Sequence, residues 1–177
     1  MVTSQIGYLA LIAVVAIERL AELVVARRNL RWALAQGARE FGLGHYPFMV
    51  VLHGGLLVGS AIEAMDRPFV PALGWPMLAV VVAAQALRWW CVFTLGSRWN
   101  TRVLVLPGRP LVGDGPYWWL RHPNYLAVAA EGIALPLVHT AWITALTFTL
   151  LNAGLLRVRI RVEESAIGWA LAHGDAS

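Results

Sequence analysis

The stretch Gly115-Pro116-Tyr117-Trp118-Trp119-Leu120-Arg121-His122-Pro123-Asn124-Tyr125 is a polar island in an apolar chain, and its place decides the fold. It sets a cation, an imidazole and two phenols on a short turn directly before an apolar run. The surrounding 177 residues are 59% hydrophobic and only 14% charged, with a mean hydropathy of +0.63. That leaves too little polar surface for a water-soluble domain of this size. The expectation is an all-α integral membrane protein in which so dense a polar cluster at a membrane edge has a chemical reason.

Working outward, five apolar segments stand at 5–26, 46–65, 72–96, 124–138 and 140–156. The last two are short for a span of ~20 residues and predict a tight helical hairpin turning near Val138-His139-Thr140. Between the third and fourth lies 97–123, the longest non-spanning stretch. Its turn signals, Pro107-Gly108-Arg109-Pro110 and Gly113-Asp114-Gly115-Pro116, bracket Thr101–Leu106 as a short extended segment. The tail from Arg157 to His173 predicts a helix lying at the membrane interface, carrying Glu163 and Glu164. The division expected is a single domain over 1–177, with three spans in 1–96 and the loop, hairpin and final helix in 97–177.

Arginines fall between the apolar segments. The first connection is expected to carry Arg27, Arg28, Arg31 and Arg39, the third Arg98, Arg102, Arg109 and Arg121, and the tail Arg157, Arg159 and Arg161. The opposite connections hold only Arg67 and His139. With five transmembrane helices the positive-inside rule places the N-terminus outside and the loop and C-terminus in the cytoplasm. The start lacks a basic n-region and a small-residue cleavage site, so it reads as a retained span.

Several functions are excluded by pattern. No Gly-x-Gly-x-x-Gly follows a strand, which removes a dinucleotide fold. The formal charge of +4 is dispersed between apolar segments and forms no nucleic-acid patch. Cys91 is the single cysteine and lies in an apolar run, so neither a disulfide framework nor a thiolate metal site is expected.

Gly115-Pro116-Tyr117, then Arg121-His122-Pro123-Asn124-Tyr125, then Glu131, then Arg159-Ile160-Arg161-Val162-Glu163-Glu164 after a hairpin form an ordered set. This order resembles the isoprenylcysteine carboxyl methyltransferase superfamily of membrane methyltransferases over roughly the C-terminal 65 residues. At the front, Glu18-Arg19-Leu20-Ala21-Glu22-Leu23, Arg27-Arg28-Asn29 and the run from Gly44 through His45, Tyr46 and Pro47 to His53 look like its bacterial branch. That branch is associated with type III polyketide synthases and O-methylates alkylpyrones or alkylresorcinols. The resemblance implies S-adenosylmethionine as methyl donor, S-adenosylhomocysteine as product, a lipophilic acceptor, a bacterial inner-membrane setting and a functional link to a polyketide synthase. By motif position it assigns Gly115, Tyr117, Arg121, His122, Pro123, Asn124, Tyr125, Glu163 and Glu164 to the cofactor pocket, and Arg159 and Glu164 to the reacting centre.

The residues support the same chemistry on their own terms. Arg121 or Arg159 suits the donor carboxylate, Glu163 or Glu164 its ammonium, and Tyr117, Pro123 and Tyr125 its adenine or sulfonium. Glu18, Glu22 and Glu131 lie inside apolar segments, where a structural ion pair and an acceptor-facing role stand side by side. His45, Tyr46 and His53 are read as acceptor-binding, with the two histidines as candidate bases; interfacial anchoring and a haem or metal site are the alternatives. Phospholipid N-methylation and a non-catalytic haem-binding membrane protein using His45, His53 and His122 are the competing functions.

Overall fold

The computed structural model describes residues 2–110 and 112–173. Five α-helices dominate: α1 (Val2–Ala35), α2 (Tyr46–Glu63), α3 (Pro71–Leu95), α4 (Pro123–Leu137) and α5 (Trp142–His173). Two three-residue strands complete it, β1 (Arg39–Phe41) and β2 (Val103–Val105), paired antiparallel with Glu40 opposite Leu104. Pro71 and Pro123 open α3 and α4, and Pro47 stands in the first turn of α2, positions where a missing N–H is harmless and a fixed φ favours the helix.

Three helical stretches are long and apolar enough to cross a membrane by themselves: Leu43–Glu63, Pro71–Arg98 and Trp142–Ala170. α4 has only 15 residues, about 22 Å at helical rise, and crosses most of the layer only as half of a hairpin. That hairpin turns through residues 138–141, where Thr140 takes φ 56° and donates its hydroxyl to Pro68 O at 2.7 Å. Glu63 caps the returning helix, accepting from the backbone N–H of Ile143 and Thr144 at 3.1 and 2.8 Å. Gly132 lets α4 and α5 close together, because a Cβ there would strike the Phe148 ring.

Two boundaries differ from expectation. α1 continues to Ala35, so Arg27, Arg28 and Arg31 ride on its last turns and only Arg39 stands in the connection. Nothing in 27–35 breaks a helix; the next glycine after Gly7 is Gly37, at φ 82°. The tail likewise is no separate interfacial helix. It is the far half of α5, which runs 32 residues without interruption because no proline interrupts 142–173.

The core sits where α1, α3 and α4 meet, with Tyr8, Ile12, Val15, Val81, Ala134 and Leu135 buried together. Tyr8 donates its phenol to Leu135 O at 2.9 Å, as a buried hydroxyl must. Cys91 is fully buried in α3, as expected. The expected extended segment at 101–106 exists as β2, whereas its partner β1 was unforeseen.

Candidate functional site

The C-terminal ends of α1, α3 and α5 and the N-terminal end of α4 share one end of the bundle, and a cavity of about 960 Å³ opens among them. Its polar wall comes from Tyr117, Arg121, His122, Asn124 and Tyr125 on one side and Arg159, Glu163 and Glu164 on the other. The size lies at the top of the range for small-molecule sites, ~300–1,000 Å³. The structure therefore brings together eight of the residues read from sequence as donor-binding.

Two others serve differently. Gly115 does not line the cavity; at φ 57° it backs onto α3, where a Cβ would come within 2.6 Å of Thr94 Oγ1. It shapes the turn that presents Tyr117. Pro123 is buried at the first position of α4 and aims Asn124 and Tyr125 at the cavity.

Arg159 is the centre of the polar wall. It is only 5% exposed, its Nε donates to Tyr125 Oη at 2.9 Å and its Nη1 to Met49 Sδ at 2.9 Å. Among the described residues no carboxylate lies within 4.0 Å of it. Tyr125 in turn donates its hydroxyl to Glu163, whose carboxylate also stands 3.8 Å from His122 Nδ1. The His122 ring stacks on Tyr125 at 5.3 Å and 15°. A buried cation with neutral partners is an open anion site, since interior cations are ordinarily paired.

Asn124 supplies the opposite polarity: its Oδ1 is buried without a hydrogen-bond donor among the described residues. Glu164 is exposed at the rim, and Arg121 is exposed opposite it. Burial pushes the Tyr117 phenol above its ordinary range, so it stays a neutral donor.

The extended segment at 101–106 was expected, but not that it roofs the cavity. β2 and the flanking Trp99, Asn100 and Arg102 line the cavity, and β2 is held by β1 and by Arg102 Nη1 to Glu40 Oε1 at 2.8 Å. That hydrogen-bonded pair raises the Arg102 pKa, and the guanidinium lies 4.8 Å above the Tyr46 ring. Asn29 fixes the start of the loop through Gly96 O and Trp99 O, at 3.0 and 2.7 Å.

The residues expected on the acceptor's path stand outside this lining. Glu22 is clamped by Arg88, with Nε to Oε1 and Nη2 to Oε2 both at 2.6 Å. Arg19 bridges Glu22 at 3.0 Å and Glu131 at 3.5 Å, and Gln85 joins Arg19 to Glu18. Together they form a buried charge network on α1, α3 and α4. Arg88 was missed, although an arginine inside an apolar segment signals such a partner. Tyr46 faces Thr101 and Arg102. His53 bonds Met49 O through Nδ1 at 2.8 Å and meets Phe148 edge-on, while His45 ends the short turn Leu43–His45 before α2. Thus His53 and His122, proposed together for haem, face different partners.

Comparisons with known proteins agree with this geometry. The sequence profile of the isoprenylcysteine carboxyl methyltransferase (ICMT) family matches residues 77–168, just over half of the chain. An uncharacterized protein of Bacillus subtilis (strain 168), YpbQ, is 40% identical over 158 residues, covering 89% of this chain and 94% of that one. An uncharacterized protein of Haemophilus influenzae (strain Rd) is 27% identical over 154 residues, or 84% and 88%. The solved eukaryotic intramembrane Ras methyltransferase ICMT superposes with a TM-score of 0.50 at 25% identity, covering 71% of this chain and 47% of that one. The chain thus spans about half the length of that solved structure. The matched region runs from α3 through the far half of α5 and contains every motif residue of the polar wall, so the chain belongs to the isoprenylcysteine carboxyl methyltransferase family.

Proposed function

We propose that this membrane protein transfers the methyl group of S-adenosylmethionine to an oxygen of a lipophilic acceptor. The observation that carries the reading is the open cation of Arg159, buried in the cavity wall beside Tyr125 and Glu163. The unmet groups of the cavity match such a donor. Arg121 suits its carboxylate, Glu164 its ammonium, and Asn124 Oδ1 an N–H of either the ammonium or the adenine. His122 and Tyr125, already stacked, offer a flat face.

When bound, the donor supplies a sulfonium methyl whose C–S pair stays with sulfur as an acceptor lone pair forms the new C–O bond. No covalent enzyme intermediate is needed, so the protein's work is to hold both partners in line and dry. Arg159 orients the acceptor oxygen and favours its anionic form, while the Tyr125–Glu163 bond fixes the guanidinium. A hydroxyl acceptor also needs somewhere for its proton; His45 and His53 are the candidate bases, while Glu18, Glu22 and Glu131, held by Arg19, Arg88 and Gln85, frame the acceptor's path without taking its proton. Alkylpyrones or alkylresorcinols from a polyketide synthase, or a prenylcysteine carboxylate, are the acceptor classes this reading admits. One domain serves both partners, with the cavity and its arginines facing the cytoplasm of a bacterial inner membrane.

Methyl transfer from labelled donor to a panel of alkylpyrones, alkylresorcinols and prenylcysteine analogues tests this directly. The expected result is a labelled neutral ether or ester. Label appearing in phosphatidylethanolamine alone would move the reading to phospholipid N-methylation, and a Soret band without transfer would move it to haem binding.

A further inference from the structure

Arg159 is held from two sides. Its Nε donates to Tyr125 Oη and its Nη1 to Met49 Sδ, both at 2.9 Å, so two of its three nitrogens are anchored while the side chain still lines the cavity. Met49 belongs to none of the motifs read from the sequence, and it does not line the cavity itself. It is half-buried near the start of α2 and reaches Arg159 from behind the wall.

The packing of α2 delivers it there. α2 runs antiparallel to α5, and their contacts step along both helices in order. Glu63 caps Ile143 and Thr144, and a Cβ on Gly59 would come within 3.1 Å of Thr144 Oγ1. Leu56 packs with Phe148, and His53 meets the same ring edge-on at 5.5 Å. At the far end a Cβ on Gly42 would strike Val162 Cγ1 at 2.7 Å. Met49 and Arg159 fall between these last two contacts, so the register sets them opposite each other. A slip of one residue would turn the thioether about 100° away from that line.

The chemistry of the partner matters as much as its place. A thioether sulfur is a weak, uncharged acceptor on a pliable side chain. A carboxylate there would orient the guanidinium as well but would cancel its charge, as Glu22 does for Arg88. An aliphatic side chain would leave the charge intact but the N–H unmet and free to turn away. We infer that Met49 is a positioning residue for methyl transfer: with Tyr125, its thioether fixes the Arg159 guanidinium toward the acceptor oxygen without neutralising it. This rests on the methyltransferase reading and adds α2 to the elements that build the reacting centre.

The test uses the full chain in nanodiscs with two variants. Met49→Leu keeps the volume and removes the acceptor, and Met49→Gln matches methionine in length and offers a neutral oxygen. The Arg159 Nε–H resonance, assigned by its loss in Arg159→Lys, reports the guanidinium directly. Its exchange with solvent quickens about tenfold or more in Met49→Leu and returns toward wild type in Met49→Gln. Turnover is followed from labelled donor with 5-pentadecylresorcinol and N-acetyl-S-farnesylcysteine as acceptors. Met49→Leu lowers kcat about tenfold or more, the scale of a misplaced catalytic group, and Met49→Gln recovers most of the loss. S-adenosylhomocysteine affinity stays unchanged in both variants, which also shows that they are folded. An Arg159 resonance or a kcat indifferent to Met49→Leu makes Met49 a packing residue and overturns the inference. So does a Met49→Gln variant as slow as Met49→Leu, or a parallel loss of S-adenosylhomocysteine affinity. Wild type that methylates neither acceptor, with the Arg159 resonance responding as expected, strikes the methyltransferase reading and leaves the Met49–Arg159 clamp standing.

Discussion

Arg88 and Arg159 are both arginines buried in long apolar helices, 6% and 5% exposed, yet their surroundings are opposite. Arg88 is gripped by Glu22 through two hydrogen bonds, inside a network where Arg19, Gln85, Glu18 and Glu131 meet one another. Arg159 meets a phenol and a thioether and looks into a cavity. One guanidinium has spent its charge on holding three helices together. The other has no carboxylate within 4.0 Å among the described residues.

The two sites therefore fail in different ways. Glu22→Ala leaves Arg88 buried and uncompensated, and is expected to lower stability by about 3–5 kcal/mol, read by denaturation in mild detergent. The double change Glu22→Leu with Arg88→Met should recover most of that loss, because an apolar pair avoids desolvating two ions. A fully stable Glu22→Ala single variant would break the distinction. Next in size, Arg159→Ala should leave the thermal midpoint nearly unchanged and lower kcat/KM by roughly 100-fold, the scale of losing one oriented charge at the reacting oxygen. Unchanged turnover in that variant would make Arg159 structural. Gly132→Val drives a side chain into Phe148 and is expected to cost about 1–3 kcal/mol by prising α4 from α5. The smallest effect belongs to the roof: the Arg102–Glu40 pair is partly exposed, so Glu40→Ala should change stability by only about 0–1 kcal/mol, while chemical shifts of the paired strands β1 and β2 report a loosened roof.

What the sequence made legible follows from where the information is local. Arg121–Tyr125 and Glu163–Glu164 were readable because a proline-led helix start and a run of charge in an apolar chain are visible within a few residues, and the fold then set them on facing walls. The hairpin was readable for the same reason: two short apolar segments meet at a polar turn. β1 was not, since three residues carry no period and its pairing partner lies sixty residues away. The α5 boundary was misplaced because a helix does not stop where its surroundings change from lipid to water; it stops at a breaker, and none occurs before His173. Arg88 was silent because its meaning is tertiary: it is defined by a carboxylate on another helix.

The account stands on the large cavity being a donor site. Its most direct test is calorimetric titration of S-adenosylhomocysteine into the purified full chain in detergent, beside Glu164→Ala and Arg121→Ala. The account predicts saturable one-to-one binding by wild type and at least tenfold weaker binding by each variant, with stability unchanged since both side chains are exposed at the rim. Absence of binding by folded wild-type protein, or affinities indifferent to both substitutions, would contradict it.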